Sequence, residues 1–261
     1  MTADGTPKGE EREVERAGGV TIDGAPIAYI IVWAAIVFGL SFVPLPISVV
    51  LGIGGTFPLS QTVYPVLGFI LGPWAGALAA GIGRLIGVFS APHTSTVGIL
   101  STIVAMATAA AGGLLVENKG RTWLLAPIVF VLAFVFYIAS GLGSGVALGL
   151  ALLSTAVNWI GILLWLLPTR MLARHWIASQ SAARLAAGLV LGSWIVNTSS
   201  YIVPNALFYP IFKWPPAQWA MLAGVAPVEH LFRTLAGAVI GVGVITGLRA
   251  IGLVKPTRAG Y

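Results

Sequence analysis

Residues 59–89 read LSQTVYPVLGFILGPWAGALAAGIGRLIGVF, and the fold turns on whether this run is one membrane crossing or two. A span needs ~17–25 residues, so the run is too long for one ordinary crossing. Gly72-Pro73 near its centre supplies a helix stop followed by proline at a first-turn position. Two short helices are therefore predicted, over about 59–71 and 73–89.

Charge is scarce on both sides of this run. No Lys, Arg, Asp or Glu stands between Gly24 and Gly83, from Leu85 to Val116, or from Thr122 to Thr169. A charge at the bilayer centre costs at least ~2.5–3.5 kcal/mol, so uncharged stretches of this length imply repeated passage through hydrocarbon. With 57% hydrophobic and 8% charged residues, the 261-residue chain has the surface chemistry of a lipid-facing protein. The absence of alternating polar and apolar positions disfavours a transmembrane β-barrel. Abundant Gly and Ala suit helices that approach each other closely. The predicted fold is all-α, a polytopic bundle in the cell membrane. Its spans fall at about 25–51, 59–71, 73–89, 96–116, 123–142, 145–168, 184–209 and 219–249, about eight in all.

Charge placement supports the split at Pro73. With the N-terminus inside, Lys8, Arg12, Arg16, Lys119, Arg121, Arg170, Arg174, Arg184, Arg249, Lys255 and Arg258 face the cytoplasm, leaving Arg84, Lys213 and Arg233 toward the outside. A single span at 59–89 would move the Lys119/Arg121 loop outside. Both termini are thus expected in the cytoplasm: residues 1–24 as a disordered tail holding six of the eight acids, 25–252 as one membrane domain, and 253–261 as a second tail.

Several chemistries have no sequence basis. The chain has no cysteine, hence no thiolate or disulfide chemistry. It has no His-Glu-x-x-His, no phosphate-cradling Gly-x-x-x-x-Gly-Lys-Ser/Thr and no aspartate pair, so no enzyme activity, metal or cofactor is expected. The basic residues are spread at segment ends rather than gathered among aromatics, which reads as topology and not as nucleic-acid binding.

After Asp23 the acids are Glu117, in a loop, and Glu229. Glu229 and Arg233 lie four apart and share a helix face. Such a pair is either a self-neutralising device for a helix end or part of a polar cavity facing a ligand. Other polar groups reach the same depth: Arg84 and His93, then Asn158 and Trp159, then Asn197, Tyr201 and Asn205, with His230 beside Glu229. Trp123, Trp176, Trp214 and Trp219 fall near span ends as interfacial anchors. Ala75/Ala79/Gly83 and Gly237/Gly241 form small-residue packing faces.

Part of this pattern resembles a known family. Pro44-Leu45-Pro46, the loop to Thr62, and Val66-Leu67-Gly68-Phe69-Ile70-Leu71-Gly72-Pro73-Trp74-Ala75-Gly76-Ala77 running on to Gly83-Arg84-Leu85-Ile86-Gly87 resemble the substrate-binding S-components of energy-coupling factor (ECF) vitamin transporters. The span after Pro227 is similar to that family's final helix. Arg84 occupies the position where the family pattern has an acid. The resemblance implies a core of six helices, here with an extra pair. It also implies an outward gate at 52–58, where Gly54 and Gly55 lower the cost of backbone motion, and a second outer loop at 90–95.

On this reading the chain captures a small polar or anionic, vitamin-like molecule for uptake. Arg84 and Arg233 supply charge-assisted hydrogen bonds, Glu229 orients Arg233, Asn158, Asn197 and Asn205 set specificity, and Trp159 or Tyr201 stacks a ring. A transmembrane coupling subunit and ATPase subunits would be separate chains, met through faces such as Ala35/Gly39 or Ala75/Ala79. Two other readings stay open: a membrane enzyme or accessory acting on a lipid-like substrate with Glu229 or His230 as acid/base, and a structural subunit without a ligand.

Overall fold

A computed structural model describes residues 20–45, 56–117 and 120–261. They fold almost wholly as helices. α1 spans Ile27–Leu40, α2 Tyr64–Leu71, α3 Pro73–Ser90 and α4 Leu100–Val116. α5 is Leu125–Gly143, α6 Leu148–Ser154, α7 Ala156–Leu166 and α8 Thr169–Ile177. α9 is Ala182–Ser200, α10 Ile202–Phe212 and α11 Pro216–Ala250.

The split at Gly72-Pro73 is present. Gly72 has φ 90°, a conformation that ends α2 and that a side chain rarely adopts, and Pro73 opens α3. A Cβ at Gly72 would also lie 3.0 Å from the Cβ atoms of Asp23 and Arg258. The two helices then pack through glycine. A Cβ at Gly68 would sit 2.1 Å from the Ala109 carbonyl, one at Gly113 2.2 Å from Pro73 N, and one at Gly83 2.3 Å from the Ala34 carbonyl. Backbones of α2 and α4, and of α1 and α3, are therefore in direct contact, which lets dispersion act where lipid supplies no hydrophobic drive.

Among the described residues, three helical stretches are long and apolar enough to cross a membrane: Thr122–Gly143, Ala182–Phe212 and Pro216–Ala250. α6 and α7, bent by 61°, make a fourth if taken as one span. At that bend Thr155 returns its hydroxyl to the Ala151 carbonyl at 2.7 Å, a bond that competes with the helix ladder. α1 and α4 are apolar but shorter.

The structure differs from expectation at several places. Residues 169–183, which fall between two predicted spans, contain α8, which buries Ala173 and Ile177 on one face. Its Arg170 donates to the Leu115 carbonyl at 2.9 Å and lies 4.3 Å over the Trp123 ring. α11 begins at Pro216 and continues through Pro227. Asp23, assigned to a disordered tail, is ordered. Thr21–Ile22 pairs with Ala25–Pro26 as a two-stranded hairpin whose turn, Asp23-Gly24, has φ 55° and 77°. Residues 1–19 lie outside the described residues.

Contacts define two ends of the bundle. At one, the Asp23 carboxylate caps α3, accepting from Trp74 N at 2.6 Å and Ala75 N at 3.0 Å. Arg258 pairs there with Asp23 and Glu117, and Gly260 N donates to the Phe69 carbonyl at 2.8 Å. The hairpin at residues 21–26 and the C-terminal segment thus meet. At the other end, the His93 ring bonds the Phe42 carbonyl at 3.0 Å and Thr56 donates to the His93 carbonyl at 2.6 Å.

Candidate functional site

α11 buries Glu229, His230 and Arg233, with Glu229 and Arg233 one helical turn apart. Glu229 and Arg233 are in direct contact, and the pair leaves both charges inside the bundle with each other as counter-ion. Desolvating two ions is costly, so contact alone does not make the pair stabilising. Aromatic faces add to it. The Arg233 guanidinium lies 5.1 Å from the Tyr201 ring and 5.2 Å from the Phe57 ring. The His230 ring meets Tyr201 edge-on at 4.9 Å. Arg233 Nε and His230 Nδ1 are buried without a hydrogen-bond partner among the described residues.

The site is held in place by neighbours on three other elements. A Cβ at Gly237 would fall 2.1 Å from the Thr62 carbonyl, so α11 rides directly on the 3-10 turn Leu59–Thr62. Asn197 of α9 donates to the Thr234 hydroxyl at 3.3 Å, and Thr108 of α4 bonds Ser200 at 3.2 Å. Between these elements lies a cavity of about 10 Å³ lined by Gln61, Tyr64, Val104, Thr108, Asn197, Tyr201 and Arg233. That is about the space of a single water. Gln61 and Tyr64 were missed by sequence reasoning. The signal that could have found them is an amide and a phenol within an apolar run. The Tyr64 hydroxyl is 3.1 Å from Ser60, itself 3.4 Å from Ser41.

Arg84 is not on this cavity. It is 1% exposed and donates from Nε to Ser101 at 2.8 Å and from Nη2 to the Thr94 carbonyl and the Ser95 hydroxyl, both at 3.0 Å. Its work is to fasten the loop after α3 to the start of α4, leaving Nη1 without a partner among the described residues. Tyr64 and Arg233 line the cavity and Arg84 does not, so the two cations do not converge on one space.

The other expected site residues separate. Tyr201 and Asn197 join Arg233 at the cavity, with Glu229 and His230 behind. Asn158 instead bonds the Thr198 carbonyl at 2.8 Å and ties α7 to α9. Trp159 is 37% exposed and donates to the Leu152 carbonyl at 3.2 Å, spanning the α6–α7 bend on the outside of the bundle. His93 is a loop fastener, and Asn205 is buried on α10 off the cavity lining. Gly54 and Gly55 lie outside the described residues.

Two further readings change. Trp214 and Trp219 are buried rather than interfacial, packed with Tyr137 and Tyr209; Tyr137 and Trp219 stack at 4.4 Å. Ala75 and Ala79 are fully buried within the bundle, whereas Gly39 on α1 has open space around it. Comparison with known protein families, with curated proteins and with solved structures finds no match to this chain.

Proposed function

We propose that this chain is a membrane-embedded capture subunit that binds a small anionic or electron-rich molecule at Arg233. In this reading it crosses the membrane about eight times with both termini cytoplasmic. As the ECF-type resemblance implies, separate ATPase subunits energise the uptake. The observation that carries the proposal is the buried guanidinium beside a polar cavity, with Arg233 Nε and His230 Nδ1 both lacking a hydrogen-bond partner among the described residues. The Arg233 Nε–H is a buried donor whose lack of a partner costs free energy, and an incoming anion or carbonyl oxygen would relieve that cost.

The roles follow from position. Arg233 binds, Glu229 balances and orients it, Tyr201 and Phe57 cover its faces, and Gln61, Asn197 and Tyr64 supply amide and hydroxyl contacts. A cavity of about 10 Å³ is a closed state, so a vitamin-sized molecule enters only as Phe57 and Tyr201 move off the guanidinium. Arg84 contributes indirectly, by holding the loop whose His93 contacts Phe42 and Thr56.

The enzyme reading would need an apolar, laterally open path to Glu229 or His230. The large apolar groove of this chain reaches α11 at Val244 and Leu248, about 22 Å along the helix from Glu229, which favours capture over catalysis. Thermal-shift screening of purified protein against small carboxylate- and phosphate-bearing heterocycles tests the proposal. Stabilisation by at least one compound, lost in Arg233→Gln, supports it. Equal stabilisation of both proteins, or of neither by any compound, overturns it.

A further inference from the structure

The end of the bundle at which Asp23 meets Arg258 carries a second concavity, separate from Arg233. It is a groove of about 320 Å³ between α1 and α11, lined chiefly by Tyr29, Trp33, Ile36, Val244, Leu248 and Tyr261. Its floor is apolar and buried, at Ile70 and Trp33. Val32 and Leu253 beside it are 58% and 43% exposed, so it opens sideways on a face clad in hydrocarbon side chains.

The mouth is polar and cationic. Arg249, in the last turn of α11, donates to the carbonyls of Ser179 at 2.8 Å and Ile177 at 3.0 Å. Lys255 reaches the main-chain oxygen of Tyr261 and lies 5.1 Å over its ring. The two cations are near enough that, after partial burial, Arg249 is what lowers the Lys255 pKa. No side-chain carboxylate among the described residues pairs with either. Tyr29 and Tyr261 line the slot, and Tyr261 also carries Lys255 over its ring.

We propose that this groove seats one acyl chain of an anionic glycerophospholipid from the surrounding leaflet, with Arg249 and Lys255 holding its phosphate. Shape and charge select this occupant. The groove is apolar along its length and opens sideways toward the surrounding hydrocarbon, as the seat of a single acyl chain must. A slot that is apolar along its length, with Arg249 and Lys255 beside its lining residues Leu248, Leu253 and Pro256, matches an amphiphile with one negative head. Tyrosines at the boundary suit the depth at which a headgroup meets its tails.

The full chain, purified in detergent and stripped of lipid, is titrated with dioleoyl phosphatidylglycerol and with dioleoyl phosphatidylcholine. Binding is read by native mass spectrometry and thermal unfolding. The phosphatidylglycerol should bind about ten-fold tighter, Lys255→Gln should remove most of that preference, and Val244→Phe should weaken both lipids by filling the slot. Ile36→Trp, at a position 39% exposed on the opposite wall, makes the same test if Val244→Phe does not fold. Equal affinity for the two lipids, or a preference untouched by Lys255→Gln, overturns the headgroup site. Lipid binding unchanged in the groove variants overturns the acyl seat. An equal shift with inorganic phosphate alone, or a dimer that the groove variants dissolve, also overturns it. Arg233→Gln should leave lipid binding intact, so failure here and failure of the capture reading are separable.

Discussion

Asp23 and Arg258, 235 positions apart in the sequence, meet at 3.1 Å, and the same guanidinium also holds Glu117. Asp23 at the same time caps α3. One carboxylate therefore ties the N-terminal hairpin, the C-terminal segment and the start of a bundle helix together. Burial disfavours charge on Arg258, but the hydrogen bond and charge of Glu117, and then Asp23, outweigh it and raise its pKa. A base whose folded pKa is raised contributes stability that is fully present below its unfolded value and is lost as pH rises through the folded one. No alkaline loss from this group is expected anywhere below the ordinary arginine range.

Replacing that carboxylate separates its two roles. Asp23→Asn keeps a capping oxygen and loses the ion pair, whereas Asp23→Ala loses both. The alanine variant should be less stable than the asparagine variant by about 0.5–2 kcal/mol, the worth of a cap. Thermal unfolding in one detergent checks the order, and equal stability of the two would show that Asp23 does not cap α3.

Glu229→Gln leaves the Arg233 charge buried without its counter-ion and should cost about 3–5 kcal/mol. Replacing both together, Glu229→Leu with Arg233→Leu, should recover most of that loss while leaving no anion-binding capacity. Denaturant titration alongside ligand binding reads the two effects separately. A double variant as unstable as Glu229→Gln would mean that the pair holds the bundle together by more than mutual neutralisation.

Gly237→Ala should be strongly destabilising, by about 1–3 kcal/mol or more, because its methyl would sit 2.1 Å from the Thr62 carbonyl. Gly243→Ala, six positions further along the same helix, meets nothing within 4 Å and should be neutral or mildly stabilising. If both alanines behave alike in thermal unfolding, the close seat of α11 on the Leu59–Thr62 turn is wrong.

The absence of native cysteine makes the topology directly measurable. His93→Cys should react with an impermeant thiol reagent from outside intact cells. Gln180→Cys, exposed just beyond α8, should react only after the membrane is opened. Reversal of the two would turn the bundle over and place Arg233 toward the cytoplasm.

Much of this was legible because it is local. Gly72-Pro73 breaks the chain through its own dihedral preferences, and Glu229 and Arg233 share a face through helical spacing alone. Asp23-Gly24 between short extended segments is likewise a hairpin signal that stands in the sequence. What could not be read was where long polar side chains point. Arg84 has the spacing to face Arg233, yet it is drawn to loop oxygens at Thr94, Ser95 and Ser101, which the chain brings up only after a turn. Trp214 and Trp219 lie beside span ends, where tryptophan often marks an interface. Trp219 is buried where Gly141 leaves room, since a Cβ there would stand 2.8 Å from its ring, and Trp214 packs against Tyr137, Tyr209 and Phe212. α8 escaped notice because its amphipathic pattern serves the rim of the bundle rather than a crossing.

α11 is one helix of 35 residues, about 52 Å long, whereas the hydrocarbon core of a bilayer is ~30 Å thick. Even allowing for a projecting end, such a rod must lean, and its lean is set partly by the thickness it has to match. Arg233 stands at the midpoint of the rod, with Val244 and Leu248 toward its C-terminal end. A change of lean in a thinner or thicker membrane would then act chiefly on the Val244/Leu248 end, while Arg233 stays close to the pivot.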